Sequence, residues 1–157
     1  MCLWIVQGEE CCDSSRGKGC VTCDSRGGEM MSGPDPTTIV QRQLDAYNAH
    51  DVEAWMAIYS DDVQHFEFPS TLVASGAAQV RERLSVRLQE PDLHARLVSR
   101  MAMGNLVIDH EVITQNFPEP EAGSRIGTVE LIAMYEVQGE RIARAWFRFG
   151  EKRLGQP

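Results

Sequence analysis

Residues 93–149 read LHARLVSRMAMGNLVIDHEVITQNFPEPEAGSRIGTVELIAMYEVQGERIARAWFRF. Turn signals divide this stretch at Gly104-Asn105, at Pro118 to Gly123 and at Gln138-Gly139. Glycine and asparagine accept the left-handed backbone of tight hairpins, and proline cannot continue a central strand. The spacing predicts three hairpins joining four strands: Leu93 to Met103, Leu106 to Phe117, Arg125 to Val137 and Arg141 to Phe149. Most of these exceed the usual length of about five or six residues. Long strands twist and coil, so a sheet built from them curls around whatever covers it.

The cover lies upstream. Val40, Leu44 and Tyr47 recur at helical spacing behind the capping candidates Thr37 and Thr38, which predicts a helix ending near Asn48-Ala49-His50. Asp51 is placed to cap a second helix whose apolar stripe is Val52, Trp55, Met56 and Tyr59, stopped by Ser60-Asp61-Asp62. A strand from Val63 to Phe68 follows, ended by Pro69, with Thr71 to Ala74 as its extended return. Ser75-Gly76 opens a third helix with Ala77, Val80, Leu84 and Leu88 on one face, closed at Glu90-Pro91. This order predicts an α+β fold, a cone-shaped curved antiparallel sheet packed on three helices, with a pocket between the layers.

At 157 residues the chain has room for one domain. A net charge of −8 leaves no basic surface for phosphates, so nucleic acid is not expected as a partner. No apolar run approaches the roughly 20 residues that span a bilayer, so no membrane segment is expected either. All five cysteines, Cys2, Cys11, Cys12, Cys20 and Cys23, precede the first periodic segment. Adjacent Cys11 and Cys12 do not suit a tetrahedral zinc site, and Cys20 to Cys23 is not flanked by the strand and helix of a redox motif. Residues 1–36 therefore read as a disordered or artefactual extension, residues 37–150 as the domain and residues 151–157 as a tail. Met30 and Met31 stand just before the linker Ser32-Gly33-Pro34-Asp35-Pro36, and either is a candidate start in place of Met1. The opening residues lack the basic and apolar regions of an export signal, which points to the cytoplasm.

The run Asp51-Val52-Glu53-Ala54-Trp55-Met56-Ala57-Ile58-Tyr59-Ser60-Asp61-Asp62-Val63, followed by Phe66-Glu67-Phe68-Pro69, resembles the opening segment of bacterial ketosteroid isomerases and SnoaL-like proteins. The ending Val137 to Trp146 is similar to their last hairpin. These families belong to the nuclear transport factor 2-like superfamily, whose cystatin-like cone hosts isomerases, cyclases, dehydratases, hydrolases and binding modules. The resemblance implies a general base at Glu67, on the strand after the second helix. In ketosteroid isomerases an Asp base works with an oxyanion hole made of a tyrosine and a protonated aspartate. The resemblance places Gln43 at the position of that tyrosine and Ile132 at the position of that protonated acid. Gln43 retains a donor and Ile132 has none, so the resemblance supports a steroid delta-isomerase-like activity at most.

Alternation alone would turn His65 and Glu67 to water and bury Phe66 and Phe68; the resemblance puts Glu67 inside the cone with His65 on its face. There His65 would be an acid partner, since histidine titrates near neutral pH. His110, between Ile108 and Val112, and Glu130, between Thr128 and Ile132, are further cavity candidates. Trp55, Tyr59, Met134, Phe147 and Phe149 read as pocket wall or core. The histidines show no metal-ligand spacing, so neither metal nor cofactor is expected. Arg96, Arg100, Arg144 and Arg148 mark a solvated or subunit-facing side of the sheet. With the resemblance, they imply a homodimer.

Two function classes follow. One is a cofactor-free isomerase, cyclase or dehydratase acting on a small apolar carbonyl compound, with Glu67 as base and His65 or His110 as acid. The other is a non-catalytic ligand-binding or assembly module.

Overall fold

The computed structural model describes residues 33–119 and 123–155. The cysteines, the candidate starts Met30 and Met31, and nearly all of the expected extension lie outside these residues. Helix α1 (Pro36–Asn48) is capped not by Thr37 but by Asp35, whose carboxylate accepts from the Thr37 backbone N–H at 3.0 Å and from its hydroxyl at 2.7 Å. Pro36 then occupies the first helical position, where its missing N–H costs nothing. Helix α2 (Val52–Met56) is capped by Asp51 as its sequence predicts. It stops three residues short of Tyr59.

Tyr59 instead begins strand β1 (Tyr59–Glu67), which is longer at its start than the residue pattern suggests. The cause is tertiary pairing: the Ile142 N–H donates to the Ile58 carbonyl at 2.8 Å, and Tyr59 stands in register with Ile142. Strand β2 (Thr71–Ser75) returns antiparallel to β1, and α3 (Ala77–Arg87) follows. Strands β3 (His94–Met103), β4 (Leu106–Glu119), β5 (Gly123–Gln138) and β6 (Arg141–Leu154) then form the three hairpins read from the turn signals. Gly104 and Gly139 hold φ near +60° at two of these turns, a conformation that costs a side-chain-bearing residue. Residues 151–154 are no tail: Lys152, Arg153 and Leu154 extend β6 against Val129, Thr128 and Gly127.

The six strands are ordered β2-β1-β6-β5-β4-β3. Four neighbouring pairs are antiparallel, and β1 runs parallel to β6, which makes the sheet mixed. Register shifts interrupt all the ladders except β4·β5, and such bulges bend a sheet. The sheet is curved, and the helices cover one face. Ile39, Val40 and Leu44 of α1, Trp55 and Met56 of α2, and Val80 and Leu84 of α3 bury against Val107, Ile113, Ala133, Val137 and Ala145 of the sheet. Among the described residues no helix is long and apolar enough to cross a membrane.

Candidate functional site

Strand β4 contributes alternate residues to the covered face, so Val107, Asp109, Glu111 and Ile113 all point inward and are buried. Two of the four are carboxylates. Asp109, with no exposure at all, is satisfied: Arg100 Nε and Nη2 donate to its two oxygens, each at 2.7 Å. Arg100 Nη1 also donates to the Thr37 carbonyl at 3.1 Å and to Gln41 Oε1 at 2.9 Å, fastening α1 to the sheet. Arg100 therefore does not share the outer side with Arg96. The register shift between Leu97 and Ser99 inserts one residue into β3, and a single extra residue exchanges the two faces of a strand.

Glu111 has no such counterion. It is 3% exposed, and its Oε1 has no hydrogen-bond partner. Burial raises its pKa from 4.5 to about 7, with Asp109 adding to the rise and Arg100 opposing it. The covered side of the sheet also carries a cluster of aromatic rings. Trp55 and Tyr59 stack at 3.9 Å between centroids, His65 meets both edge-on at 5.9 and 5.4 Å, and Phe147 lies 5.3 Å from His65. Tyr135 closes on Phe147 at 6.3 Å. Tyr59 and Tyr135 are fully buried, so their hydroxyls stay protonated far above the ordinary tyrosine range; the Glu111 charge adds to that effect in both.

The same interior holds further polar atoms without partners: Gln43 Oε1, Trp55 Nε1, the Tyr59 hydroxyl and His65 Nε2. Each buried group of this kind costs about 1–3 kcal/mol unless something binds it. His65 is kept neutral, its pKa lowered to about 4 by burial and then by the Arg83 charge. It is thus a neutral donor or acceptor at physiological pH and not the cationic acid expected from its side-chain type.

The residues singled out from sequence divide between the two faces. Gln43, Trp55, Tyr59, His65 and Phe147 are gathered on the inner side. Glu67 stands at the exposed end of β1, where the strand runs out before Pro69, and makes no side-chain hydrogen bond or ion pair among the described residues. His110, Glu130, Ile132 and Met134 fall on the opposite face, because their positions on β4 and β5 alternate with the buried ones. His110 Nε2 lies 3.7 Å from Glu130 Oε2, and Ile132 is 39% exposed. Phe149 is also exposed. Sequence reading missed Asp109, Glu111 and Tyr135. Apolar residues occupy both faces of β4, as Val107 and Ile113 on one and Ile108 and Val112 on the other, so the pattern fixes no inner face. The available signal was two acids at i and i+2 in the middle of a long strand.

A curved mixed sheet covered by helices over an acidic and aromatic interior places the chain in the cone-shaped α+β class. The sequence matches the SnoaL-like domain over residues 40–145, and the chain belongs to that family. No curated protein sequence matches it. The fold is similar to an uncharacterised cystatin-fold protein from Novosphingobium aromaticivorans, at 22% identity and a TM-score of 0.66, over 74% of this chain and 99% of that one. A candidate SnoaL-like polyketide cyclase from Shewanella denitrificans aligns with a TM-score of 0.65 at 11% identity, over 74% and 91% of the two chains. An epoxide hydrolase from M. tuberculosis, of the kind termed LEH-like, aligns at 0.61 and 16% identity, over 75% and 84%.

Proposed function

We propose that the chain is a cofactor-free acid–base enzyme acting on a small, largely apolar carbonyl compound, and that Glu111 is its base. The observation that carries this reading is the buried Glu111 carboxyl, unpartnered at Oε1 and held near neutral pKa on the covered face that also carries the Trp55–Tyr59 stack. A base with a pKa near the working pH combines a usable ionised fraction with a useful affinity for the proton. Glu111 takes a proton from the carbon next to the carbonyl, and the electron pair moves onto the carbonyl oxygen. The Tyr59 hydroxyl, protonated and unpartnered, is the donor suited to the oxyanion, and the neutral His65 ring stands beside it. Return of the proton to another carbon gives isomerisation; expulsion of a β-hydroxyl as water, with the proton that Glu111 holds, gives dehydration; attack of the α-carbon on a second carbonyl, whose oxygen takes that proton, gives cyclisation. The fold relatives described as a candidate polyketide cyclase and an epoxide hydrolase support small-molecule chemistry of this general kind.

The test is solvent-deuterium exchange at the α′- and γ-carbons of small cyclic enones, followed by NMR. The wild-type chain should exchange with a rate that rises through about pH 7. E111Q should lower the rate at least about a hundredfold, the lower end for loss of a general base, while E67Q retains it. Full exchange in E111Q removes Glu111 as the base. Enone binding without exchange in the wild-type chain would make it the binding module that the sequence also allows.

A further inference from the structure

Helix α3 brings a cation to the same interior. Arg87 is the basic residue of its last turn, half-buried, and its guanidinium is held by two neutral acceptors. Nε donates to the Tyr47 hydroxyl at 3.2 Å, and Nη2 donates to Gln115 Oε1. A guanidinium carries five N–H groups, so these two bonds orient it and leave donors over.

No carboxylate among the described residues pairs with Arg87. Glu90 and Asp92, which follow it in the chain, both accept from Asn116 Nδ2, Asp92 at 2.7 Å. Gln115 and Asn116 are consecutive on β4 and so present opposite faces. The two acids are drawn to one side of the sheet while Arg87 is held on the other. Gln115 shares its face with Glu111, four residues and about 14 Å along the strand at the usual rise of about 3.4 Å per residue. Tyr47 joins the two: its hydroxyl is raised above its ordinary pKa chiefly by burial, lowered by Arg87 and raised by Glu111.

A rigid guanidinium without a counterion, beside an apolar interior, is suited to bidentate recognition of a carboxylate. We infer that Arg87, set by Tyr47 and Gln115, is a specificity-determining residue that binds a carboxylate carried by the substrate at the end remote from Glu111. The substrate class is then an apolar carbonyl compound with one terminal carboxylate. This rests on the reading that places the acid–base chemistry on Glu111.

The experiment is calorimetric titration of the full chain with 4-oxo-4-phenylbutanoate and with its neutral primary amide. The wild-type chain should bind the carboxylate at least about tenfold more tightly than the amide, the effect of one charge-assisted contact. R87Q should abolish the difference, R87K should keep part of it because the charge remains without the fork, and E111Q should leave it intact. Equal affinities in the wild-type chain, including no measurable binding of either compound, overturn the inference. So does discrimination that survives in R87Q. Enone exchange is read separately, so a chain that exchanges protons without discriminating charge loses only the Arg87 site, and the converse loses only the Glu111 base.

Discussion

Burial acts on two interior groups in opposite senses, raising Glu111 from 4.5 to about 7 and lowering His65 from 6.5 to about 4. Between pH 4.5 and 7 the folded chain holds a proton on Glu111 that the unfolded chain has released. Stability from this group is therefore full below pH 4.5 and is lost as pH rises toward 7, at about 1.4 kcal/mol per unit. His65 works the other way: between pH 6.5 and 4 the unfolded chain takes up a proton that the folded chain refuses, so stability falls with falling pH at a similar slope. The two slopes cancel over their shared window of 4.5 to 6.5. Removing either group should expose the other. Relative to the wild-type chain, E111Q should gain stability steadily from pH 4.5 to 7, and H65Q should gain it from pH 6.5 down to 4; urea unfolding at stepped pH measures both differences. Parallel curves for wild type and E111Q would show that Glu111 titrates as an ordinary surface acid. Of this pair only His65 was singled out in the sequence, and only through the family resemblance, since strand alternation alone would have turned it to water. Glu111 was hidden because a strand apolar on both faces does not declare which one is covered, and its perturbation comes from burial, with Asp109 adding to it, which no local pattern records.

Elements with a strong period and unambiguous turns were legible: the helical stripes, the hairpins at Gly104 and Gly139 and the four long strands match the sequence closely. What failed to show were boundaries set by distant partners. Tyr59 fits the stripe of α2 equally well as it fits β1, and pairing with Ile142 decides between them. The end of β6 is a second case. Charged residues at 151–153 suggest a solvated tail, yet they pair with the start of β5, and Gly127 makes that approach possible. A Cβ on Gly127 would stand 2.6 Å from the Arg153 carbonyl oxygen, 3.0 Å from the Phe117 ring and 3.1 Å from the Leu154 Cα. Two of these three are backbone atoms and cannot turn aside. G127A should therefore separate the strand ends, costing about 1–3 kcal/mol as overpacking does. Hydrogen exchange should locate the damage: faster exchange at Lys152 to Gly155, whose last N–H donates to the Ile126 carbonyl at 3.0 Å, with the hairpin at Gly139 unchanged. Unaltered protection at Gly155 in G127A would show that the contact is relieved without opening the strands.

At the scale of the whole molecule the uncovered face of the sheet is unlike an ordinary solvated surface. Trp146 stacks on Phe66 at 5.5 Å, and Val98, Ile126 and Ile132 are 46%, 48% and 39% exposed. A groove of about 430 Å³ beside them is bounded by Arg96, His110, Glu130, Glu151 and Arg153. Glu130 is shared between Arg153 at 3.3 Å and His110 at 3.7 Å, whereas Arg96 and Glu151 have no ion-pair partner among the described residues. Opposite charges left over on one patch suit a two-fold axis, since each copy then supplies the partner the other lacks, twice over. We propose that a second copy of the chain docks on this face, with Arg96 of each copy against Glu151 of its mate and the exposed apolar residues between them. Sedimentation at micromolar concentration should give a dimer for the wild-type chain, a monomer for R96E and a dimer again for R96E/E151R, because the double reversal restores the attraction with its sign inverted. A wild-type monomer overturns the proposal, and a dimer that R96E leaves intact moves the interface elsewhere. The interior lies on the other side of the sheet, so R96E should keep the pH-dependent stability difference between the parent chain and its E111Q variant, and its loss would mean that the two faces are coupled through β4.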